Sequence, residues 1–451
     1  MNMNRREFVK AGAGVFFIAS SSRLFGAGAP SSRVRFAIVG CRERGRGRDV
    51  LENALSVPGT ECVCVCDVDS RAMDFAAEFV RSRTGRVPRK EKDFRKVLEM
   101  SDVDAVVSET PDHFHAYSAV MAMRAGKHVY VEKPCAFCPG ECEVILETWK
   151  RTGKVFQMGS QRRATPNFIE AIAAVRGGSL VGRPRYAKCW YMTKRGPIGK
   201  GKSVPVPEWL DWDLWQGPAP REGFRDNLVP YNWHWFRKWG TGEAGNNSVH
   251  FVDVARWCLG VEEYPSLVSS AGGRFWIPDG TDWEWPDTQN ISWTYRGGQA
   301  INWEGLSCAT QNPYLGLSTG AEIYCEGGAV LFKPNSGVDV FDEKGKTIRS
   351  WSAPEETKAV VDTNNRAGGV GAKGLTILHF DNFVQSIRDN TPGRAYANAE
   401  IATLSTSMAL TGNIAQLTGE TLRLDVRTGR PIGSSAADAL WRREYERGWE
   451  I

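Results

Sequence analysis

No apolar run in the 451 residues approaches the roughly 20 that a membrane-spanning helix needs, so no stable membrane span is expected. No basic stripe is present either. The formal charge is +5, and residues 1–29 hold Arg5, Arg6, Lys10 and Arg23 against Glu7, so the remainder carries only +2. A nucleic-acid partner is therefore not expected. Internal repeats and low-complexity linkers are absent. The 11 cysteines are an odd number in a large chain, unlike the dense framework of a small disulfide-stapled domain. Cys62, Cys64 and Cys66 alternate within Thr60–Cys66, so they should share one buried face of a strand. Cys135, Cys138 and Cys142 have a metal-like spacing. No fourth Cys or His stands near them, so they read as packing thiols and no metal site is expected.

What is present is a globular composition, 42% hydrophobic and 24% charged, at a length that suits two domains. The first 29 residues read differently. Asn4-Arg5-Arg6-Glu7-Phe8-Val9-Lys10 precedes a small, apolar stretch from Ala11 to Ser20, and small residues surround Ala27 and Ala29. A paired arginine, a short apolar region and an A-x-A-like end describe a twin-arginine export signal. Pro30 suits the first mature position poorly, which favours cleavage after Ala27. The expected partner is the twin-arginine export machinery, and the expected location periplasmic or otherwise exported.

From residue 33 to 160 short apolar runs alternate with helical spacing. Strands are expected at Val34–Val39, Thr60–Cys66, 104–107, His128–Val131 and 155–158. Helices are expected at a segment ending near Asn53 and at 70–83, 93–100, 111–125 and Pro139–Thr152. That is the pattern of a Rossmann-type doubly wound parallel sheet. After residue 160 the character changes. A helix at Pro166–Arg176 and a strand at 185–190 lead into a Pro-, Gly- and Trp-rich stretch, 196–240, without regular pattern. A helix at 248–259 precedes several strands whose turns fall at Arg296-Gly297-Gly298, Glu326-Gly327-Gly328 and Glu343-Lys344-Gly345. Helices at 376–388 and 398–417 follow. The second domain, 161–425, is thus α/β with a large, open, mostly antiparallel sheet, and 426–451 is a C-terminal tail.

The stretch Val39-Gly40-Cys41-Arg42-Glu43-Arg44-Gly45-Arg46-Gly47 joins the first strand to the first helix. A dinucleotide site needs glycines there for a sharp turn, and helix N–H groups for the pyrophosphate. Gly40 and Gly45 hold the first and third positions of G-x-G-x-x-G, while Arg42 stands at the second. Asp67 directly follows the second strand. A carboxylate there accepts from the adenosine ribose hydroxyls and repels a 2′-phosphate. NAD is therefore the expected cofactor. NADP stays open, because Arg71 or the loop arginines would soften that repulsion. Val129-Tyr130-Val131-Glu132-Lys133-Pro134 puts Lys133 at the carboxyl end of a strand, where such sheets bind ligands. A lysine there suits a substrate hydroxyl that is losing its proton.

With these motifs the chain resembles the glucose–fructose oxidoreductase / inositol dehydrogenase (Gfo/Idh/MocA) family. Thr110-Pro111-Asp112-His113-Phe114-His115 is similar to its cofactor-lining segment. Gly242-Glu243-Ala244-Gly245-Asn246-Asn247-Ser248-Val249-His250-Phe251-Val252-Asp253 resembles its glycine-rich turn followed by H-x-x-D, and Leu210-Asp211-Trp212-Asp213-Leu214-Trp215-Gln216-Gly217-Pro218 a segment of its secreted branch. The resemblance implies hydride transfer between a sugar carbon and a nicotinamide, and terminal helices that return to the Rossmann domain. It maps Lys133 and His250 onto the catalytic lysine and histidine, with Asp253 orienting the site. It implies cofactor contacts from Gly40, Cys41, Arg42, Arg44, Gly45, Asp67, Thr110, Pro111, His113, His115, Glu132 and Lys133. By the same analogy a homo-oligomer is expected. One departure matters: Asn246 stands where several of the dehydrogenases carry a substrate-binding aspartate, and an amide holds a hydroxyl but cannot take its proton.

Gln161, Arg162 and Arg163 match positions near the family's substrate pocket. Trp209, Trp212, Trp215, Tyr231, Trp233, Trp235 and Trp239 crowd the irregular stretch, and indole faces suit pyranose C–H surfaces. Trp233 and Trp235 flank His234 just before the His250 signature. The expected substrate residues are Gln161, Arg163, Trp233, Trp235, Asn246 and His250, for a small carbohydrate. Free NAD is scarce outside the cytoplasm, so an exported enzyme is expected to keep its cofactor. Two other readings stay open: a redox-assisted glycosidase or lyase using bound NAD, and a non-catalytic sugar-binding protein with a vestigial Rossmann domain.

Overall fold

Six short strands, most of them apolar on both faces, build the first sheet in a computed structural model that describes residues 33–42, 46–178, 180–309, 314–352 and 370–451. The segment read as an export signal lies outside the described residues, as do Arg44 and Gly45 of the glycine loop. The strands are β1 (Val34–Val39), β2 (Thr60–Cys66), β3 (Arg89–Glu91), β4 (Ala105–Ser108), β5 (His128–Val131) and β6 (Phe156–Met158). Their order is β3-β2-β1-β4-β5-β6, and every pairing is parallel. Helices α1 (Arg46–Ser56), α2 (Ser70–Thr84), α3 (Phe94–Glu99), α4 (Asp112–Arg124) and α5 (Pro139–Thr152) connect them. The strand order reverses between β1 and β4, which opens a crevice at their carboxyl ends. Burial on both faces explains the unbroken apolar runs: all four residues of β4 are buried.

Two local features differ from expectation. β3 is a three-residue edge strand, Arg-Lys-Glu, whose charge hides it from any apolar pattern and suits an open edge. The register of β1 against β2 slips between Phe36 and Ala37, which pair with Cys62 and Cys64. The extra residue, Val63, bulges and breaks the period of two. Cys62 therefore packs with Phe36 and Val65 on one face, while Cys64 and Cys66 pack with Ala37 and Val39 on the other. The three thiols do not share a face.

The second sheet holds β7 (Pro184–Met192), β8 (Leu267–Gly273), β9 (Thr288–Thr294), β10 (Ala300–Leu306), β11 (Thr319–Cys325), β12 (Gly328–Phe332), β13 (Val338–Asp342), β14 (Thr347–Trp351) and β15 (Leu422–Arg423). Its order is β14-β13-β12-β11-β7-β10-β9-β8-β15. All neighbours are antiparallel except β7 and β10. The three glycine turns fall in the β9–β10, β11–β12 and β13–β14 hairpins. Alternating burial along β10 marks one packed face. That face carries α6 (Pro166–Arg176) and α8 (Val249–Leu259), while the short α7 (Trp212–Gln216) lies in the irregular stretch. Helix α9 (Val370–Arg388) returns to the first sheet, where Phe380 and Phe383 meet Phe36 and Tyr130. Helix α10 (Ala399–Thr418) runs between the two sheets, and α11 (Ser435–Ala439) opens the C-terminal tail. Residues 34–451 form one body.

Candidate active site

A cavity of about 1430 Å³ lies over the carboxyl ends of the first sheet and reaches into the second half of the chain. Its floor begins at Gly40, which turns with φ 88°. A Cβ there would lie 2.5 Å from the Glu109 carbonyl oxygen, so only glycine fits. Asp67 stands beside it and accepts from Cys41 N (2.6 Å) and Asp69 N (2.9 Å). Burial pushes its pKa up to about 6, even though those backbone donors favour the charged form. Cys41 thus serves the site only through its backbone, because its buried thiol turns back to the Cys66 carbonyl. Arg42 lies on the cavity wall with its guanidinium 5.8 Å above the Tyr231 ring, directed toward the second half.

Thr110, Pro111 and His115 line the cavity after β4. The two ring nitrogens of His115 face the carbonyls of Pro134 (2.6 Å) and Thr110 (2.7 Å). They staple this segment to the turn that carries Lys133. The Lys133–Pro134 peptide is cis. Glu132 is buried and accepts from Gln161 Nε2 (3.1 Å) and Lys133 N (3.2 Å). Lys133 Nζ donates to both the backbone oxygen and Oδ1 of Asn246, each at 2.7 Å. Asn246 lies in a π-turn, Ala244–Ser248, that leads into α8. Such turns recur at functional sites, because one extra residue re-aims the side chains that follow. His250, the second residue of α8, lines the same cavity.

Three expected site residues point elsewhere. Arg163 and Asp253 pair in the interior behind α8, with Nε–Oδ2 2.6 Å and Nη2–Oδ1 2.9 Å. Ser405 of α10 also donates to Asp253, at 2.6 Å. Burial pushes the Asp253 pKa up, but the Arg163 and Arg256 charges outweigh it and hold the carboxyl below its usual range. Neither residue lines the cavity, so Asp253 is corrected from site polariser, and Arg163 from substrate ligand, to an internal ion pair. The tight turn Gln161–Ala164 aims successive side chains in different directions, and Gln161 and Arg162 take the cavity side. Arg162 lies 4.0 Å above the Phe251 ring, and burial lowers its pKa to about 10. His113 is fully buried between Trp215 and Trp239, and its Nε2 donates to the Trp215 carbonyl at 2.9 Å. Burial drops its pKa to about 3. It anchors a loop and does not line the cavity.

Trp233 and Trp235 both border the cavity, in different ways. Trp233 stacks on His234 at 3.6 Å. Trp235 is 1% exposed and stacks on Trp283 at 3.8 Å, so it is mainly a packing residue. His234, between the two tryptophans of this expected pocket segment, also lines the cavity, from an irregular three-residue-repeat turn, Asn232–Trp235. Its Nδ1 donates to the Tyr231 carbonyl at 2.6 Å. Burial, reinforced by the charges of Lys133, Arg195 and Arg42, holds its pKa well below the ordinary value, so the ring is neutral. Arg195 pairs with the buried Glu243 at 2.9 Å. Glu243 also accepts from Ser307 and Asn247, which fixes the π-turn next to Asn246.

The residues around Gly40 and Asp67 fit a dinucleotide: a glycine that cannot carry a side chain, and beside it a carboxylate whose burial favours added hydrogen-bond donors. Residues 34–160 match the profile of an oxidoreductase family with an NAD-binding Rossmann fold, Gfo/Idh/MocA. A glycosyl hydrolase family 109 protein of Shewanella pealeana is 32% identical over 125 residues, 27% of each chain. The scyllo-inositol 2-dehydrogenase (NAD(+)) of Bacillus subtilis is 29% identical over 208 residues, 46% of this chain and 48% of that one. The chain thus spans about a quarter to a half of the length of these curated relatives. Among solved structures, the scyllo-inositol dehydrogenase of Lactobacillus casei with NAD(H) and scyllo-inositol superposes with a TM-score of 0.61. It is 20% identical, over 87% of this chain and 99% of that one. Levoglucosan dehydrogenase with NADH and levoglucosan gives 0.60 at 17% identity, over 85% and 98%. These likenesses extend the shared fold across both sheets.

Proposed function

From the premise that residues 34–160 are an NAD-binding Rossmann domain of the Gfo/Idh/MocA oxidoreductase family, we propose that the chain is an exported enzyme that oxidises a CH–OH group of a sugar, polyol or glycoside and keeps its NAD bound. The observation that carries this reading is the convergence of Lys133, Asn246 and His250 on one cavity with Gly40 and Asp67. NAD, when bound, supplies the hydride acceptor. Asp67 would hold its adenosine ribose, the turn at Gly40 its pyrophosphate, and Thr110, Pro111 and Glu132 would border its nicotinamide half.

The remaining roles follow from the side chains. The Lys133 ammonium, fixed by the two Asn246 oxygens, stabilises negative charge that develops on a substrate oxygen. Asn246 cannot take the proton of that hydroxyl. The proton acceptor is then His250, whose imidazole lines the same cavity. Trp233 offers an apolar ring near the cavity for the sugar's C–H surface.

A second reading is a redox-assisted glycosidase. It is favoured by relatives such as the alpha-N-acetylgalactosaminidase of Shewanella oneidensis, 31% identical over 141 residues. A ring ketone acidifies the neighbouring C–H, so the aglycone two carbons from the ketone can be eliminated with that proton, water adds to the resulting enone, and the ketone is then reduced again. The deciding experiment titrates purified protein with sugars, polyols, glycosides and 3-keto sugars while its ultraviolet spectrum is recorded. Oxidation by the enzyme gives the reduced-nicotinamide band with a sugar and its loss with the keto sugar. Aglycone release without net reduction favours the glycosidase. Sugar binding with no spectral change and no cleavage sinks both in favour of a binding protein.

A further inference from the structure

The strand order fixes which end of the cavity is which. Lys133, after β5, marks the nicotinamide end, and Asp67, after β2, marks the adenosine ribose. The adenine of the same nucleoside then lies over β2 and β3. That end of the cavity is also lined by residues from outside the first sheet. Trp209, Leu210, Leu214 and Trp215 come from the irregular stretch, and Trp449 comes from the C-terminal tail.

The stretch is bolted down on both sides of that end. On the β2 side, Ser70 N donates to Trp209 O (2.9 Å) and Asp211 N to Val68 O (2.9 Å). These make an antiparallel bridge between Asp69 and Leu210, immediately beyond Asp67. The Arg71 guanidinium lies 3.5 Å above the Trp209 ring, and Lys92, after β3, sits 3.5 Å from the Asp211 carboxylate. On the α4 side, His113 N donates to Trp239 O (3.2 Å), and Thr241 N and Oγ1 donate to Asp112 Oδ2 (3.0 and 2.6 Å). At Gly217 the backbone approaches so closely that a Cβ would lie 2.5 Å from the Phe114 ring. The tail covers the join: Glu446 N donates to Pro218 O (3.0 Å), and Trp449 packs on Tyr117 (5.0 Å) beneath Arg95 (4.7 Å).

We infer that residues 209–241 are a strap, locked by the tail, and that its Leu210, Leu214 and Trp215, with Trp449 of the tail, form the receiving wall for the adenine ring. NAD enters or leaves only when the Asp69–Leu210 bridge opens. This rests on the proposed retention of NAD and names the part of the chain responsible for it. Opening the bridge breaks two backbone hydrogen bonds together, whereas a rim of side chains opens by single rotamer changes, so the strap converts binding into slow exchange.

The bridge gives a direct test, because paired strand residues are spaced for a disulfide. Protein carrying Asp69→Cys and Leu210→Cys is loaded with NAD under reducing conditions, then oxidised. Exchange of bound NAD against radiolabelled NAD is followed by filter binding, which needs no turnover. The expected result is exchange that stops in the oxidised form and returns on reduction. A Trp209→Ala, Arg71→Ala variant should exchange roughly tenfold faster than the parent, the factor that loss of about one net hydrogen bond or stacking contact implies. Equal exchange in oxidised and reduced protein, or parent exchange complete within the first filter time point, overturns the strap. Neither outcome touches the chemistry: turnover with free exchange sinks the strap alone, and slow exchange with no oxidation of any sugar sinks the proposed reaction alone.

Discussion

Asp67 makes NAD affinity depend on pH in a window about two units above that of an ordinary surface carboxylate. In the nucleotide-free protein burial raises its pKa from 3.8 to about 6, a penalty on the charged form of about 3 kcal/mol. The folded pKa exceeds the unfolded one. Stability from this group is therefore fully present below about pH 4 and lost as pH rises through about 6. A ribose diol donating to the carboxylate reverses that preference, because it favours the ionised form. NAD should bind the ionised protein and release a proton when it meets the neutral acid. Affinity is then flat above about pH 7 and falls by up to about tenfold per pH unit below about pH 6. Asp67→Asn loses the charge-assisted bonds, worth about 1.5–3 kcal/mol, so NAD should bind about 10- to 100-fold more weakly at pH 7.5, with little pH dependence left. The assay is isothermal titration of stripped protein with NAD from pH 5 to 8, in two buffers of different ionisation enthalpy to count protons. A dissociation constant that does not change with pH, or the same slope in Asp67→Asn, would refute the reasoning.

Other predictions address separate parts of the molecule. Lys133→Met should lower the rate of sugar oxidation by about 10²- to 10³-fold, the usual cost of removing one donor aimed at developing negative charge, while the protein still binds NAD. Asp253→Ala leaves Arg163 buried without its partner, so it should destabilise the fold by about 3–5 kcal/mol in urea titrations, with KM for the sugar nearly unchanged. His113, neutral when folded with a pKa near 3, gives stability that is complete above about pH 6.5. That stability should fall by up to about 1.4 kcal/mol per pH unit on acidification, and His113→Phe should remove that part of the slope in thermal melts at pH 7 and 5. Replacing Arg5 and Arg6 by lysine should leave the protein in the cytoplasm on cell fractionation if the twin-arginine reading holds.

The sequence exposed whatever depends on local pattern. β5, α5 and α6 have the limits that apolar periodicity and flanking Gly and Pro dictate. The three glycine turns fall in hairpins for the same reason, and so does the placing of Lys133 at a strand end. Features set by distant partners stayed hidden. The H-x-x-D spacing puts His250 and Asp253 within one helical turn of each other, but only tertiary contact reveals that Asp253 turns to Arg163 and Ser405. Consecutive arginines at 162 and 163 look alike until a tight turn sends one to the cavity and the other inward. The Val63 bulge cannot be seen in an alternating run of Cys and Val. The strap has no periodicity because its backbone partners lie in other elements, and the crowded tryptophans there mostly pin it down rather than face a sugar.

Helix α10 has one more consequence. Nearly every residue from Ala399 to Ala415 is buried. It touches α5 and β6 of the first sheet, and β8 and α8 of the second, and its Ser405 closes the Arg163–Asp253 pair. A helix with no wet face cannot be peeled from either sheet without exposing the other. What looks in outline like two modules joined by a linker is held by a common spine. Damage to that spine removes the reference frame that keeps Lys133, borne by one sheet, in register with Asn246, borne by the other.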